Sequence, residues 1–219
     1  MIICIDGPAG AGKSTIARQL AKKLGFLYID TGAMYRAFTL KVLRSKVDFK
    51  MIEKLVELAM RTQITLKQTE DGGEKVFLDG EDVSQEIRTP ELTNAVFKVA
   101  GIPQIREVMV HWQREYGHNS DIVMEGRDIG TVVFPKADKK FYLDADVQVR
   151  AQRRSKELQE KGMPVNFPEL VQQIKDRDQR DKTRTSGPLK QAEDAVLIDS
   201  TGLSIREVVD KIFGYIKNE

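Results

Sequence analysis

Residues 7–15 read Gly7-Pro8-Ala9-Gly10-Ala11-Gly12-Lys13-Ser14-Thr15 and follow directly on the apolar run Ile2-Ile3-Cys4-Ile5. A buried strand that delivers the chain to such a turn makes a phosphate cradle. Glycines let the backbone wrap an anion, and a helix expected to begin at Lys13 turns its amides and positive dipole end toward that anion. Lys13 adds a mobile positive charge for the outer phosphates, and the Ser14 hydroxyl is placed to ligate Mg²⁺. The segment predicts binding of a nucleoside triphosphate.

Arginine usage supplies the next clue. Arg36, Arg106, Arg127, Arg150, Arg153, Arg154, Arg177, Arg180 and Arg184 fall at expected strand ends or in one basic segment. A guanidinium fork meets phosphate oxygens two at a time, which a Lys cannot do. One nucleotide needs only a few such forks, so this set points to two phosphorylated ligands facing one another across a transferring group. The competing reading pairs residues 177–184 with Asp176, Asp178 and Asp181 on a solvated helix face. Carboxylates are placed where a metal would need them: the apolar run Ile122-Val123-Met124 is followed by Glu125, whose oxygen could hold Mg²⁺ directly or through water.

These residues need a scaffold, and the apolar pattern provides one. Five short runs, residues 1–5, 26–29, 121–124, 140–143 and 195–198, fit buried parallel strands, with helical patterns between them. Ile16, Leu20 and Leu24 repeat at helical spacing before a stop at Gly25. Ile105, Val108, Met109, Trp112 and Tyr116 form a second stripe entered at Pro103, its aromatics read as core. Ser204-Ile205-Arg206-Glu207 is a capping box, after which Val208, Val209 and Ile212 face inward. Strands alternating with helices predict a doubly wound α/β sheet, whose ligands gather beyond the carboxyl ends of the strands. Two segments depart from the alternation. Residues 62–83 alternate Ile64, Leu66, Val76 and Leu78 around turn signals at Asp71-Gly72-Gly73 and Asp79-Gly80, which predicts an inserted antiparallel hairpin or three-strand meander. Residues 150–178, interrupted at Gly162-Met163-Pro164 and Phe167-Pro168, read as two helices joined by a loop at the sheet's carboxyl edge.

Composition narrows the function classes. The chain has 219 residues, 41% apolar and 31% charged, with no apolar stretch near the roughly 18 residues that span a bilayer. A core strand at the N-terminus is not expected of a cleaved targeting peptide. Cys4 is the single cysteine, so neither an internal disulfide nor a cysteine-cluster zinc site is expected, and the thiol is read as a small buried apolar group. His111 and His118 lack ligand spacing and are read as surface or helix-end residues. A reducing cytoplasm is the expected compartment. The net charge of +2 argues against bulk nucleic-acid binding, yet residues 150–184 carry ten Lys or Arg against six Asp or Glu. Such a local excess suits a polyanion much smaller than DNA.

The strings Gly7–Thr15, Asp30-Thr31-Gly32-Ala33-Met34-Tyr35-Arg36, and Glu125-Gly126-Arg127-Asp128-Ile129-Gly130-Thr131-Val132-Val133-Phe134-Pro135 resemble those of bacterial cytidylate kinases. So do Asp176-Arg177-Asp178-Gln179-Arg180-Asp181 through Arg184, and Asp199-Ser200-Thr201. The likeness runs nearly end to end and includes the hairpin insertion. It implies a P-loop kinase fold with strand order 2-3-1-4-5, a core of residues 1–30, 104–149 and 179–219, a monophosphate-binding region at 31–103, and a lid at 150–178. It implies transfer of the γ-phosphoryl group of ATP, with Mg²⁺, to CMP or dCMP by a cytoplasmic monomer that takes no nucleic acid or membrane as partner. Thr31, Arg106 and Asp128 would address the cytosine, and Arg36 and Arg127 the acceptor phosphate. Arg177 and Asp181 would lie near the sugar and Arg184 near the phosphates being joined. Lys13, Arg127 and Arg184 would carry catalysis, with Arg153 and Arg154 on the ATP side. Two residues depart from the family's pattern. Thr31 stands where many relatives have Ser, and Phe97 where relatives often carry a small hydroxyl residue near the sugar.

Other readings make distinct demands. A kinase for UMP, AMP or dTMP would share the scaffold and differ in acceptor preference. A GTP-hydrolysing switch needs an Asn/Thr-Lys-x-Asp guanine reader after a strand. The nearest string, Pro135-Lys136-Ala137-Asp138, lacks the first residue and precedes its strand. Length and charge disfavour a nucleic-acid motor.

Overall fold

Strand β1 (Ile2–Asp6) runs through the middle of a five-stranded parallel sheet in a computed structural model that describes residues 1–70, 72–118 and 120–217. Its alternation divides the core. Cys4 packs on one face, and Ile3 and Ile5 on the other. Helix α1 (Lys13–Leu24) follows, with Ile16 and Leu20 buried and Gly25 closing it at φ 73°. Next come β2 (Leu27–Asp30), α2 (Thr31–Arg44) and α3 (Ile52–Met60). The insertion contributes β3 (Ile64–Gln68), β4 (Glu74–Leu78) and β5 (Glu81–Asp82), and the short helices α4 (Pro90–Ala95) and α5 (Phe97–Ala100) follow it. Helix α6 (Pro103–His118) returns the chain to the sheet at β6 (Ile122–Gly126). A π-helical turn (Ile129–Val133) leads to β7 (Lys139–Asp144), then α7 (Val147–Glu160) and α8 (Phe167–Thr183), and finally β8 (Val196–Asp199) and α9 (Ile205–Lys217).

The sheet order is β2-β6-β1-β7-β8, every neighbouring pair parallel. The order 2-3-1-4-5 counts the parallel strands alone; the insertion's three strands take the numbers between. One face of the sheet buries Met34 and Phe38 of α2, Leu55 of α3, and Ile105 and Met109 of α6. Trp112 and Tyr116 pack against that cluster, so the aromatics of the α6 stripe are core, and the Tyr116 hydroxyl accepts the Leu66 amide of β3 at 3.0 Å. The other face is covered by α1 and by Val208, Val209 and Ile212 of α9. The capping box opens α9, with the Ser204 amide donating to Glu207 at 2.8 Å and the Glu207 amide to the Ser204 hydroxyl at 3.3 Å. Cys4 is fully buried, and His111 and His118 are exposed.

The insertion is a three-stranded antiparallel sheet whose β4–β5 turn holds Asp79 at φ 50° and Gly80 at φ 89°. Asp71 of the other expected turn lies outside the described residues. Helices α7 and α8 form the expected pair, with a small core of Ala151, Leu170, Val171 and Ile174. The expected region limits do not coincide with element ends. Those at 103, 150 and 178 fall inside α6, α7 and α8, because a helix continues wherever its backbone bonds and packing continue, whatever chemistry its residues serve. Expected strand ends shift for a related reason. Asp6, Asp30, Glu125, Gly126 and Asp144 belong to the strands, since the ladder pairs Asp6 with Gly126, Asp30 with Glu125 and Asp144 with Asp199. Asp6, Asp30, Glu125 and Asp144 are therefore anchored in the sheet itself. No helix among the described residues is long and apolar enough to cross a membrane.

Candidate active site

The phosphate loop spans the gap between β1 and α1 at the sheet's carboxyl edge. Gly7, Gly10 and Gly12 hold φ of 153°, 76° and 93°, which L side chains rarely adopt, and a Cβ at Gly7 would collide with the Leu143 carbonyl of β7. Lys13 opens α1, is buried, and donates from Nζ to the Pro8 carbonyl at 2.9 Å across its own loop. Burial, then the positive charge of Arg127, bring its ammonium down to about 7, with the Glu125 charge opposing. Ser14 donates from Oγ to Glu125 Oε1. Glu125 is buried, and burial followed by the Asp30 charge raises its carboxyl above the ordinary range. A hydroxyl and a desolvated carboxylate side by side, both hard oxygen donors, suit a small divalent cation.

Across the cleft, the turn after β6 holds Arg127 and Asp128. Asp128 is buried between two guanidinium groups: Arg106 Nη2 donates to Oδ2 and Arg184 Nη2 to Oδ1, the latter at 3.1 Å. Burial raises its carboxyl, with Arg106 and Arg184 opposing. Arg106 also donates to the Tyr35 hydroxyl at 3.1 Å. Arg127 Nε donates to Asp181 at 2.8 Å. Burial alone would raise the Asp181 carboxyl, but Arg127 and then Arg177 hold it below the ordinary range. Thr31 donates its hydroxyl to the Glu125 carbonyl at 2.8 Å. Asp30 caps α2 through the Ala33 amide at 3.0 Å and pairs with Arg36 at 2.9 Å, while Arg36 Nε is buried without a partner among the described residues. Thr31, Arg36, Arg106, Arg127, Asp128, Arg177, Asp181 and Arg184 thus gather at one edge. Arg177 is half-buried and is brought down to about 10 by burial and then by Arg127.

Arginines of the basic segment divide into two uses. Arg150 is structural: it donates to Asp178 at 2.6 Å and to the Ala9 carbonyl at 3.0 Å, and Asp178 accepts the Ala9 amide at 3.3 Å. Arg153 donates to the Ala11 carbonyl at 3.4 Å and to Ser200, tying the loop to the end of β8. Arg154 pairs with Glu157 along α7 at 2.9 Å, although its charge reaches Arg177. The solvated-face reading of residues 177–184 gives way to pairs between elements, with Asp178, Asp181 and Arg184 each bonded to a residue outside α8. Phe97 is half-exposed on α5, with the Arg180 guanidinium 4.8 Å from its ring centre.

Several site residues escaped the sequence reading. Asp6, the last residue of β1, accepts the Ile129 amide at 2.9 Å and the Gly130 amide at 2.8 Å, and its signal was a lone carboxylate ending an apolar run. Glu74 accepts the Asp30 amide at 3.3 Å and is buried, and strand alternation with Val76 and Leu78 foretells its inward face. Gly187, at φ 56°, lies so close over Arg106 and Asp128 that a Cβ would displace both.

A family model described as cytidylate kinase matches residues 3–218. The chain is 53% identical over 215 residues to a cytidylate kinase of Desulforamulus reducens, covering 98% of this chain and 96% of that protein. It is 51% identical over 215 residues to a cytidylate kinase of Caldanaerobacter subterraneus subsp. tengcongensis, covering 98% and 94%. Among solved structures, a shikimate kinase from Bacteroides thetaiotaomicron superposes with a TM-score of 0.52 at 14% identity, covering 99% of this chain and 98% of that one, a likeness of fold alone.

Proposed function

The chain belongs to the cytidylate kinase family, and from that premise we propose how its own residues divide the work of moving the γ-phosphoryl group of ATP to CMP or dCMP. It is a nucleoside monophosphate kinase. The loop 7–15 holds the triphosphate through its amides, and Lys13 leaves the Pro8 carbonyl to meet the outer phosphates. Arg153 and Arg154 serve the ATP side, the former by fixing the loop against Ser200. The family's reaction takes a divalent metal; Mg²⁺ would be held by Ser14, with Glu125 through water, and when bound it neutralises charge on the phosphates.

On the acceptor side, Arg36 and Arg127 hold the monophosphate. Arg36 Nε, buried and unpartnered, is one donor ready for it. Thr31, Arg106 and Asp128 read the cytosine, whose exocyclic amino group donates to a carboxylate and whose ring positions accept. Arg177 and Asp181 face the sugar, and Arg184 the phosphates being joined. No general base is needed, because the attacking oxygen belongs to an ionised phosphate. Catalysis then rests on alignment and charge neutralisation by Lys13, Arg127 and Arg184. We place the enzyme in the cytoplasm as a monomer, with residues 31–103 as the monophosphate-binding region and 150–178 as the lid.

The observation that carries this reading is the buried Asp128 with one arginine on each oxygen, facing the phosphate loop's edge of the sheet. The test is ADP production with ATP and each of CMP, dCMP, UMP, AMP and dTMP. CMP and dCMP should lead in kcat/KM, and an enzyme that prefers UMP or AMP overturns the assignment of Asp128 to cytosine.

A further inference from the structure

Asp6 takes no part in the roles above, yet it stands at the junction of the two subsites. It ends the central strand β1, is nearly inaccessible, and is followed at once by Gly7, the first residue of the phosphate loop. Among the described residues no Lys or Arg pairs with it. Each carboxylate oxygen instead accepts one backbone amide, from Ile129 at 2.9 Å and from Gly130 at 2.8 Å. These amides open the π-helical turn immediately after Arg127 and Asp128. A buried carboxylate is costly unless its oxygens are satisfied, and both amides would be equally costly if left bare, so the three groups fix one another.

We propose that Asp6 is a positioning residue that holds the acceptor turn 127–130 in register with the phosphate loop, so that donor and acceptor subsites move as one body. Phosphoryl transfer requires reacting atoms within about 3–3.5 Å and in line, and a small slip between the two segments removes much of that advantage. The ladder sets β1 beside β6 only as far as Asp6 and Gly126, where the strands end. Beyond that point the Asp6 side chain continues the connection. The charges that face it agree with a place between the subsites. Burial raises its carboxyl to about 6; the Asp128 charge adds to the rise, and the Lys13 charge opposes it. Cys4 on its own strand and Tyr142 on β7 feel its charge in turn.

This inference rests on the assignment of Arg127 and Asp128 to the acceptor, so the experiment separates the two. Asp6→Asn keeps the shape but turns an amide group against one of the two N–H donors. Folding by thermal melting, KM for ATP, and kcat and kcat/KM for CMP and UMP are measured on Asp6→Asn, Asp128→Asn and the double variant. Asp6→Asn should lose about tenfold or more in kcat with CMP, shift KM for ATP by less than about threefold, and narrow the CMP:UMP ratio. Its losses should not add to those of Asp128→Asn, because both disturb one turn. A folded Asp6→Asn enzyme with wild-type kcat and ratio overturns the role of Asp6, while an unchanged ratio in Asp128→Asn overturns the acceptor assignment instead. If Asp6→Asn does not fold, amide exchange on the wild-type enzyme decides. A non-hydrolysable ATP analogue without CMP should slow exchange at Ile129 and Gly130, and unchanged exchange there overturns the coupling.

Discussion

Lys13 is a buried amine crowded by other cations. Burial and Arg127 depress its ammonium, which donates to the Pro8 carbonyl. Phosphates therefore relieve repulsion as well as accept bonds, and the relief is greatest where charge is spread over the transferring group. Lys13→Ala should lower kcat by about a hundredfold or more with melting little changed, since no ion pair among the described residues is broken. A folded variant retaining more than about a tenth of wild-type turnover would remove Lys13 from the mechanism. Arg36 and Arg127 carry the matching prediction for the acceptor. Each Arg→Ala variant loses a charge-assisted contact of about 1.5–3 kcal/mol, so KM for CMP should rise and kcat fall by a combined factor of about ten to a hundred. An equal loss of ATP binding would move both arginines to the donor side. Phe97, in contrast, holds a ring against Arg180 and offers no hydroxyl to a sugar. dCMP should accordingly remain a usable substrate beside CMP, which parallel kinetics on the two acceptors checks.

At the scale of elements, α7 and α8 are fastened to the phosphate loop at their base. Arg150 and Asp178 form a buried pair that also holds both backbone groups of Ala9: Arg150 Nη1 donates to the carbonyl as well as to Asp178, and Asp178 Oδ1 accepts the amide. Removing one partner strands the other charge, a loss of about 3–5 kcal/mol for buried pairs. Arg150→Ala should thus melt markedly lower and raise KM for ATP, whereas Arg154→Ala, which breaks a pair along one helix, should leave stability nearly unchanged. Equal melting temperatures for the two variants would refute the fastening. This pair also marks where sequence reading runs out. Helices α1, α6 and α9 were legible because each shows an apolar stripe with a recognisable entry or stop. The parallel strands were legible as apolar runs, and the motif residues reach one edge because the fold sends every strand's carboxyl end there. Which arginine meets which carboxylate was not legible. Arg150 and Asp178, or Asp6 and Gly130, are joined by packing across the fold and leave no spacing rule in the chain. Strand ends were misjudged at Asp6, Asp30 and Glu125 because backbone ladders are indifferent to side-chain polarity, while hydrophobic runs are not.

Across the whole molecule, the cleft concentrates buried carboxylates of different protonation, and stability must carry their trace. Glu74 reaches the acceptor edge from the insertion on the same face of β4 as Val76 and Leu78. Burial, then the nearby Asp30 charge, push its carboxyl from 4.5 to about 9, so the folded protein keeps it protonated at neutral pH. The unfolded chain ionises it near 4.5, and the folded state then binds more protons between the two values. Its contribution to stability is full below 4.5 and is lost progressively as pH rises toward 9, at about 1.4 kcal/mol per pH unit at most. Lys13 acts in the opposite sense above about 7, where the folded state sheds its proton before the unfolded chain does. The absolute pH curve therefore mixes the two, and the difference between wild type and Glu74→Gln isolates one. Gln reproduces the neutral carboxyl's shape and can still accept the Asp30 amide. At pH 5 the variant and wild type should melt together. At pH 8 the variant should be more stable by about 1 kcal/mol or more, a rise of about 2–4 °C in Tm for each kcal/mol. A melting difference that is the same at both values, or that favours the wild type at pH 8, would mean that Glu74 is ionised and paired in the folded protein, with Arg36 as the nearby cation.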